Sequence, residues 1–334
     1  MPRISRSAFT VIYATNSDRG VGVSTLPDMA STHVLCPGQG AQVVGMGRDY
    51  FEKSPEAKPV FEQANDILGV DLTQLCFEGP EATLDQTDVA QPAIFVTSLA
   101  CHAAAKAAGK IDPSDVATIG GLSLGEYTAL HLAGVFDFET GLKLVQARGR
   151  YMQEAATSVP GGMVSLLGGD EAGVVELCEL ARGDHVLQPA NYNCPGQIVI
   201  SGALPACEKA AAMASDKGFR AIPLKVAGAF HSPLMKPGAD RLAEDMENIE
   251  FKAPTMKVWS NVTADLHGDD PAEIKKLLIR QITEPVKWSQ TVQKMVEQGG
   301  KFVELAPGRV LAGLLKKVDR RADMLNLGSA DALA

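Results

Sequence analysis

Gly121-Leu122-Ser123-Leu124-Gly125 is the segment of this chain best suited to covalent chemistry. It joins a strand-like run, Val116 to Gly120, to a helical pattern that continues through Glu126 to Ala133, so the serine stands at a strand-to-helix elbow. Such a turn is sharp, and glycines two residues to either side are needed because a side chain there would collide across it. The hydroxyl then lies at the positive end of the helix, next to free backbone N–H groups that can stabilise an oxyanion. Five-residue patterns of this kind also occur without function; the flanking strand and helix are what favour a nucleophile.

A serine nucleophile needs a base, and six histidines are available. His131 is on the same helix, eight residues beyond Ser123 and hence roughly 12 Å along the axis, out of proton reach. His102 falls in mid-helix, His185 in a separate strand-helix unit, and His33 and His267 border loops, all of which suit structural or solvated roles. His231, in Gly228-Ala229-Phe230-His231-Ser232-Pro233, is better placed, because it stands where the chain leaves that unit and meets a proline-limited turn. Position alone leaves its role open.

Leu144, Arg148 and Met152 are spaced by four and share one helix face, so Arg148 is flanked by apolar neighbours, whereas Arg150 falls on a different face. A helical arginine is ordinarily a solvated surface residue. One on an inward face suits bidentate capture of a substrate carboxylate. The glycine-rich run Pro37 to Gly47 lacks both G-x-G-x-x-G spacing and a following Gly-Lys-Ser/Thr, so it reads as a tight turn with backbone N–H groups facing a site rather than as a nucleotide loop.

The elements that must position these groups follow an α/β rhythm. A strand at His33 to Cys36, helices at Pro59 to Leu68 and Pro92 to Ala108, and the strand before the elbow predict a parallel sheet. After Pro160-Gly161-Gly162 come a strand (Met163 to Leu167), a helix (Glu171 to Ala181), strands at Val186 to Tyr192 and Gln197 to Ser201, a helix (Pro205 to Lys217) and a strand (Phe219 to Leu224). This βαββαβ order is the ferredoxin-like pattern. Helices at Pro237 to Glu247, Pro271 to Gln281 and Ser289 to Gln298 then alternate with a strand at Lys257 to Asn261 and a last strand at Phe302 to Leu305, before a closing helix. The expected division is a large α/β domain over 29–158 and 226–334 with a small subdomain inserted at 159–225.

Composition limits the function classes. Of the 334 residues 46% are hydrophobic and 21% charged, enough for a substantial core. Acidic residues outnumber basic ones 40 to 31, which disfavours nucleic acid and anionic membrane as partners. The six cysteines form no C-x-x-C pair and have no histidine at ligand spacing, so neither a metal site nor a disulfide framework is expected, and a reducing, cytoplasmic setting fits. No apolar run is long and uninterrupted enough to span a bilayer. Residues 1–28 read as a disordered extension or a start codon placed too early, with a targeting peptide as the weaker alternative.

Taken together, these features resemble the malonyl-CoA:acyl carrier protein transacylases from about Thr32 to Val318. The matching stretches are Pro37 to Gln42, Gly121 to Glu126, Gln146 to Glu154, Asn191 to Gly202, Ala229 to Pro237, Gln281 to Trp288 and Pro307 to Leu314. The resemblance implies an α/β-hydrolase-like large domain with a parallel sheet and an inserted ferredoxin-like subdomain. It implies Ser123 as the acylated nucleophile and His231 as its base, oriented by the main-chain carbonyl of Gln281 rather than by an aspartate. The backbone N–H groups of Gln39 and Leu124 would form the oxyanion hole and Arg148 would bind the malonyl carboxylate. Met152, Phe230 and Asn193 would line the acyl pocket, Phe230 in the form that crowds an α-methyl branch. Implied too are malonyl-CoA as substrate with no permanently bound cofactor, acyl carrier protein as partner, and fatty acid biosynthesis as the setting. The alternatives are polyketide assembly or a serine esterase or thioesterase on the same elbow. The absent HGGG-type segment and an inward Arg148 stand against hydrolysis. The family usually has His immediately before the nucleophile; Leu122 stands there in this chain. Because a carrier protein is acidic, docking calls for a local basic patch, for which Lys316, Lys317, Arg320 and Arg321 are one candidate cluster and an ordinary solvated helix end is the other reading.

Overall fold

A computed structural model describes residues 31–334. The expectations for residues 1–28 lie outside the described residues. β1 (Thr32–Cys36) is buried along its whole length, as a central strand covered on both faces must be. A short helix α1 (Arg48–Lys53) follows, then α2 (Lys58–Leu68), α3 (Leu72–Glu78) and α4 (Glu81–Leu84), leading into the long α5 (Thr87–Ala107). β2 (Val116–Gly121) comes next, then α6 (Leu124–Leu132) and α7 (Phe138–Ser158). α7 starts where Asp137 accepts a hydrogen bond from the Thr140 N–H at 2.8 Å, and it buries Leu144, Val145, Arg148, Tyr151, Met152 and Ala155 as one stripe against α5.

The helix expected from Pro92 begins five residues earlier, at Thr87, with Pro92 inside it. Proline forfeits one hydrogen bond there, but every residue from Ala90 to Cys101 is buried, and that packing outweighs the local stop.

The chain then forms β3 (Gly161–Leu167), α8 (Glu171–Arg182), β4 (Leu187–Cys194), β5 (Gln197–Ala203), α9 (Leu204–Met213) and β6 (Arg220–Pro223). These four strands make an antiparallel sheet in the order β4-β5-β3-β6. α8 and α9 close it with an apolar core of their own around Leu166, Leu177, Ile200 and Phe219. The remaining elements are α10 (Lys236–Glu247), α11 (Pro271–Gln281), α12 (Trp288–Gln298), β7 (Lys301–Glu304), α13 (Val310–Val318) and β8 (Asp323–Asn326).

The first sheet runs β2-β1-β7-β8, every pair parallel. Cys36 is in register with Gly121 and Leu35 with Glu304, so the loops after β1 and β2 leave the same edge side by side. That carboxyl edge is where open α/β sheets place their ligands.

Two strand expectations need correction. Lys257 to Asn261 adds only one parallel bridge, Val258 to Ile119, because beyond Trp259 the chain turns so that the Asn261 side chain reaches the elbow. Phe302 to Leu305 is not the last strand: β8 follows, a four-residue, partly exposed edge strand with too little apolar pattern to stand out. Among the described residues no helix is long and apolar enough to cross a membrane.

Candidate active site

The elbow is held by backbone against backbone. A Cβ on Gly121 would strike the carbonyl of Gly125, one on Gly125 the Cys36 carbonyl oxygen, and one on Gly38 the Leu122 carbonyl oxygen. The loop after β1 and the turn after β2 therefore pack as close as glycine permits. Ser123 is left with φ 51° and ψ −102°, a conformation that non-glycine residues adopt only when their surroundings impose it. Asn261 imposes it from outside the elbow: its Oδ1 accepts from the Ser123 N–H at 2.6 Å and its Nδ2 donates to the Gly121 carbonyl at 2.7 Å.

Ser123 Oγ is 2.9 Å from His231 Nε2. The other ring nitrogen, Nδ1, is 2.7 Å from the Gln281 carbonyl oxygen. Since a carbonyl only accepts, Nδ1 carries the proton and Nε2 presents a lone pair to the serine. Burial pushes the imidazole down to about 4, the nearby Arg148 guanidinium acts in the same direction, and the Gln281 hydrogen bond opposes both. At neutral pH the ring is thus neutral, with Nε2 as an acceptor. His231 also has positive φ, 57°, and Gln188 Nε2 from β4 holds its carbonyl at 3.0 Å.

Arg148 is 1% exposed. Its Nη1 donates to Gln91 Oε1 at 2.7 Å, and Nη2 donates to Ser123 Oγ at 3.0 Å and to Gln281 Oε1 at 2.9 Å. All three acceptors are neutral, and among the described residues no carboxylate pairs with this guanidinium. Burying a cation without an anion is costly, so the site is one that an incoming carboxylate would relieve. Arg150, by contrast, is solvent-facing and stacks on Tyr151.

Of the backbone N–H groups at the elbow, that of Ser123 is taken by Asn261, that of Gly125 by the Leu122 carbonyl and that of Glu126 by the Ser123 carbonyl. The Leu124 N–H has no acceptor among the described residues, and neither has that of Gln39 across the gap. Free donors from two adjacent loops are what an oxyanion hole requires.

The other expected residues are less uniformly gathered. Met152 is buried and touches Gln91, whose Nε2 is 3.7 Å from its sulfur. Phe230, next to His231, is 5% exposed. Asn193 is half-buried at a bulge of β4, and none of the hydrogen bonds that join Ser123, His231 and Arg148 involves it. Leu122 packs on the Trp259, Val286 and Trp288 cluster, away from the proton path.

Sequence reasoning passed over Gln91, Gln188, Asn261 and Glu126. Gln91 and Glu126 were detectable as polar residues inside otherwise apolar helix patterns; Gln188 and Asn261 had no local mark. His267 is fully buried, with Nε2 2.6 Å from Glu126 Oε1, so of the two bland readings of it the structural one holds and the solvated one does not. Among the described residues no group of His, Cys, Asp and Glu could hold a metal ion. A cavity of about 820 Å³ opens at the opposite, amino edge of the sheet, lined by His33, Thr118, Lys257 and His267; neither Ser123, His231 nor Arg148 lines it.

The acyl transferase domain family matches residues 33–327. The malonyl CoA-acyl carrier protein transacylase of Bacillus subtilis (strain 168) is 40% identical over 308 residues, covering 91% of this chain and 96% of that protein. The solved structure of the corresponding transacylase from Coxiella burnetii superposes with a TM-score of 0.88 at 38% identity, over 92% of this chain and 97% of the other. A malonyl-transacylase solved in complex with its type II PKS acyl-carrier protein gives a TM-score of 0.86 at 37% identity, over 91% and 97% of the two chains. A strand-to-helix serine, a carbonyl-oriented histidine and a buried arginine therefore occur in a chain that belongs to the acyl transferase domain family and, within it, to the malonyl CoA-acyl carrier protein transacylases.

Proposed function

We propose that this enzyme transfers the malonyl group of malonyl-CoA to the phosphopantetheine thiol of acyl carrier protein through a malonyl-Ser123 intermediate. The observation that carries this reading is the single oxygen, Ser123 Oγ, within hydrogen-bond reach of both His231 Nε2 and an arginine that has no carboxylate partner among the described residues. His231 Nε2 takes the hydroxyl proton as Oγ bonds to the thioester carbon. The carbonyl oxygen becomes an oxyanion held by the Gln39 and Leu124 N–H groups, each donor worth ~3 to 4 kcal/mol of barrier. The C–S bond then breaks and the imidazolium returns its proton to the coenzyme A sulfur. The carrier-protein thiol then gives its proton to His231 as its sulfur bonds to the acyl carbon, the C–O bond to Ser123 breaks, and the imidazolium returns that proton to Ser123 Oγ. Throughout, Arg148 grips the distal carboxylate, with Met152, Phe230 and Asn193 shaping the acyl pocket; Phe230 disfavours an α-methyl branch by on the order of 1 to 3 kcal/mol.

We further read the fold as an α/β-hydrolase-like large domain, 29–158 and 226–334, carrying a ferredoxin-like insertion at 159–225; the antiparallel sheet with its own core supports the division. Malonyl-CoA is a substrate, and no resident cofactor enters the cycle. A cytoplasmic setting is supported by six free, buried thiols. Supply of fatty acid synthesis is the favoured role. The relative solved with a type II PKS carrier makes polyketide supply the second reading, and comparative rates with the two kinds of carrier protein separate them. The test of the cycle is labelling with malonyl-CoA, denaturation and peptide mapping. Label is expected on Ser123, and its absence there defeats the transferase reading.

A further inference from the structure

Behind the reacting groups lies a buried polar cluster that the cycle above does not use. Glu126 and His267 are both wholly buried side chains, and His267 Nε2 donates to Glu126 Oε1 at 2.6 Å. The second carboxylate oxygen, Oε2, accepts from Gln281 Nε2 at 2.6 Å and from the Asn261 N–H at 3.2 Å. Gln281 and Asn261 are the two residues through which the rest of the site is tied. Gln281 offers its main-chain carbonyl to His231, its Oε1 to Arg148 and its Nε2 to the Ser123 carbonyl as well as to Glu126. Asn261 holds the Ser123 N–H.

We infer that Glu126, fixed by His267, is a positioning residue that sets the orientation of the Gln281 amide and through it both the base and the carboxylate grip. The physical reason is donor and acceptor matching. A carboxylate only accepts, so it draws the NH2 of Gln281 and leaves the amide oxygen facing Arg148. Reversing the amide would set oxygen against carboxylate on one side and NH2 against guanidinium on the other, two buried mismatches. The same arrangement explains how Arg148 stays available. Against the effect of burial, Tyr127 and then Glu126 raise the basicity of the guanidinium. The Gln281 amide stands between Arg148 and Glu126, so the carboxylate holds the amide and leaves the guanidinium without a direct carboxylate partner among the described residues. His267 in turn fixes the carboxylate; its Nδ1 has no partner among the described residues, so the ring's hydrogen-bonding is directed at Glu126 alone.

This inference rests on the roles proposed for His231 and Arg148, and its test separates the two. Rapid-quench acylation of Ser123 by malonyl-CoA and by acetyl-CoA is measured on the wild type, Glu126→Ala, Glu126→Gln, His267→Leu and His267→Gln, with thermal unfolding of each. Glu126→Ala is expected to slow malonyl acylation ~100-fold, the loss typical of misplacing reacting groups. It should lower the malonyl-to-acetyl ratio about tenfold, since coupling through a shared partner alters selectivity and not only rate. Glu126→Gln keeps an acceptor for Gln281 and should restore much of both; His267→Gln should likewise exceed His267→Leu. Variants that match the wild type overturn the inference, as do losses equal for the two acyl groups that follow the folded fraction. Should Glu126→Ala fail to fold, the His267 pair gives the same reading. A wild type that takes no label on Ser123 refutes the catalytic cycle instead.

Discussion

Ser123 and His231 share a feature that residue type alone does not reveal: both have positive φ, 51° and 57°. Strain of this kind costs on the order of 1 to 3 kcal/mol per residue and persists only where neighbours impose it, here Asn261 on the serine and Gln188 on the histidine. The electrostatics of the pair lead to a pH prediction. Burial and then Arg148 lower the His231 pKa to about 4, so the acidic limb of kcat/KM should fall below the ordinary imidazole range near ~6.5. Removing the guanidinium charge favours the imidazolium, so Arg148→Gln should move that limb to higher pH while costing malonyl more than acetyl transfer. An unmoved limb, or equal losses with both donors, would contradict the assignment. The sign for stability is the same. Between about 4 and the ordinary imidazole value the unfolded chain binds the proton and the folded one does not, so this group's contribution is present above that window and is lost as pH falls through it.

At the scale of elements, the elbow works because β1 and β2 end in register and the loops beyond them touch through glycine. Gly125→Ala would drive a methyl into the Cys36 carbonyl oxygen, and neither backbone can retreat without breaking the parallel pairing. A loss of about 3 kcal/mol in urea unfolding is expected, with acyl-enzyme formation abolished; an unchanged midpoint would show that the contact is dispensable. Local patterns served these elements unevenly. α7 was readable because its apolar stripe and its Asp137 cap agree with each other. The Lys257 to Asn261 segment was misread because its composition suits a strand while its last residues are drawn to Ser123.

Taken as a whole, the molecule holds its base between β4 of the antiparallel sheet and the end of α11. β4 of the antiparallel sheet bonds to Val286 on the main body, through the Tyr192 and Val286 N–H groups at 2.9 and 2.8 Å. From the same strand Gln188 reaches the His231 carbonyl. Gln188→Ala should therefore lower kcat about tenfold, the worth of one hydrogen bond that holds strained backbone, with little change in KM for malonyl-CoA or in melting temperature. Parallel losses in stability would reduce Gln188 to a packing role. Charge is also distributed at this scale. The chain carries a formal −9, yet Lys316 and Lys317 in the last turn of α13, with Arg320 and Arg321 beyond it, form an exposed basic cluster. Lys316→Glu with Lys317→Glu should weaken transfer to an acidic carrier protein in a salt-dependent way and leave acylation by malonyl-CoA untouched. Loss of both half-reactions would exclude a docking role.

What this chain's sequence determined by itself was local: a serine between glycines at the junction of a strand and a helix, an arginine on an apolar helix face, and the strand-helix order of two units. Each of these rests on interactions within about a dozen residues, which periodicity and turn chemistry record. The family resemblance implied that Ser123 pairs with His231 and that the Gln281 carbonyl orients it, but only the tertiary structure decided that an imidazole 108 positions away stands 2.9 Å from that serine, and that Asn261, the Gln281 side chain and Glu126 hold the two together. Those contacts join elements remote in sequence, and a lone Asn or Gln has no periodicity by which its partner could be foreseen.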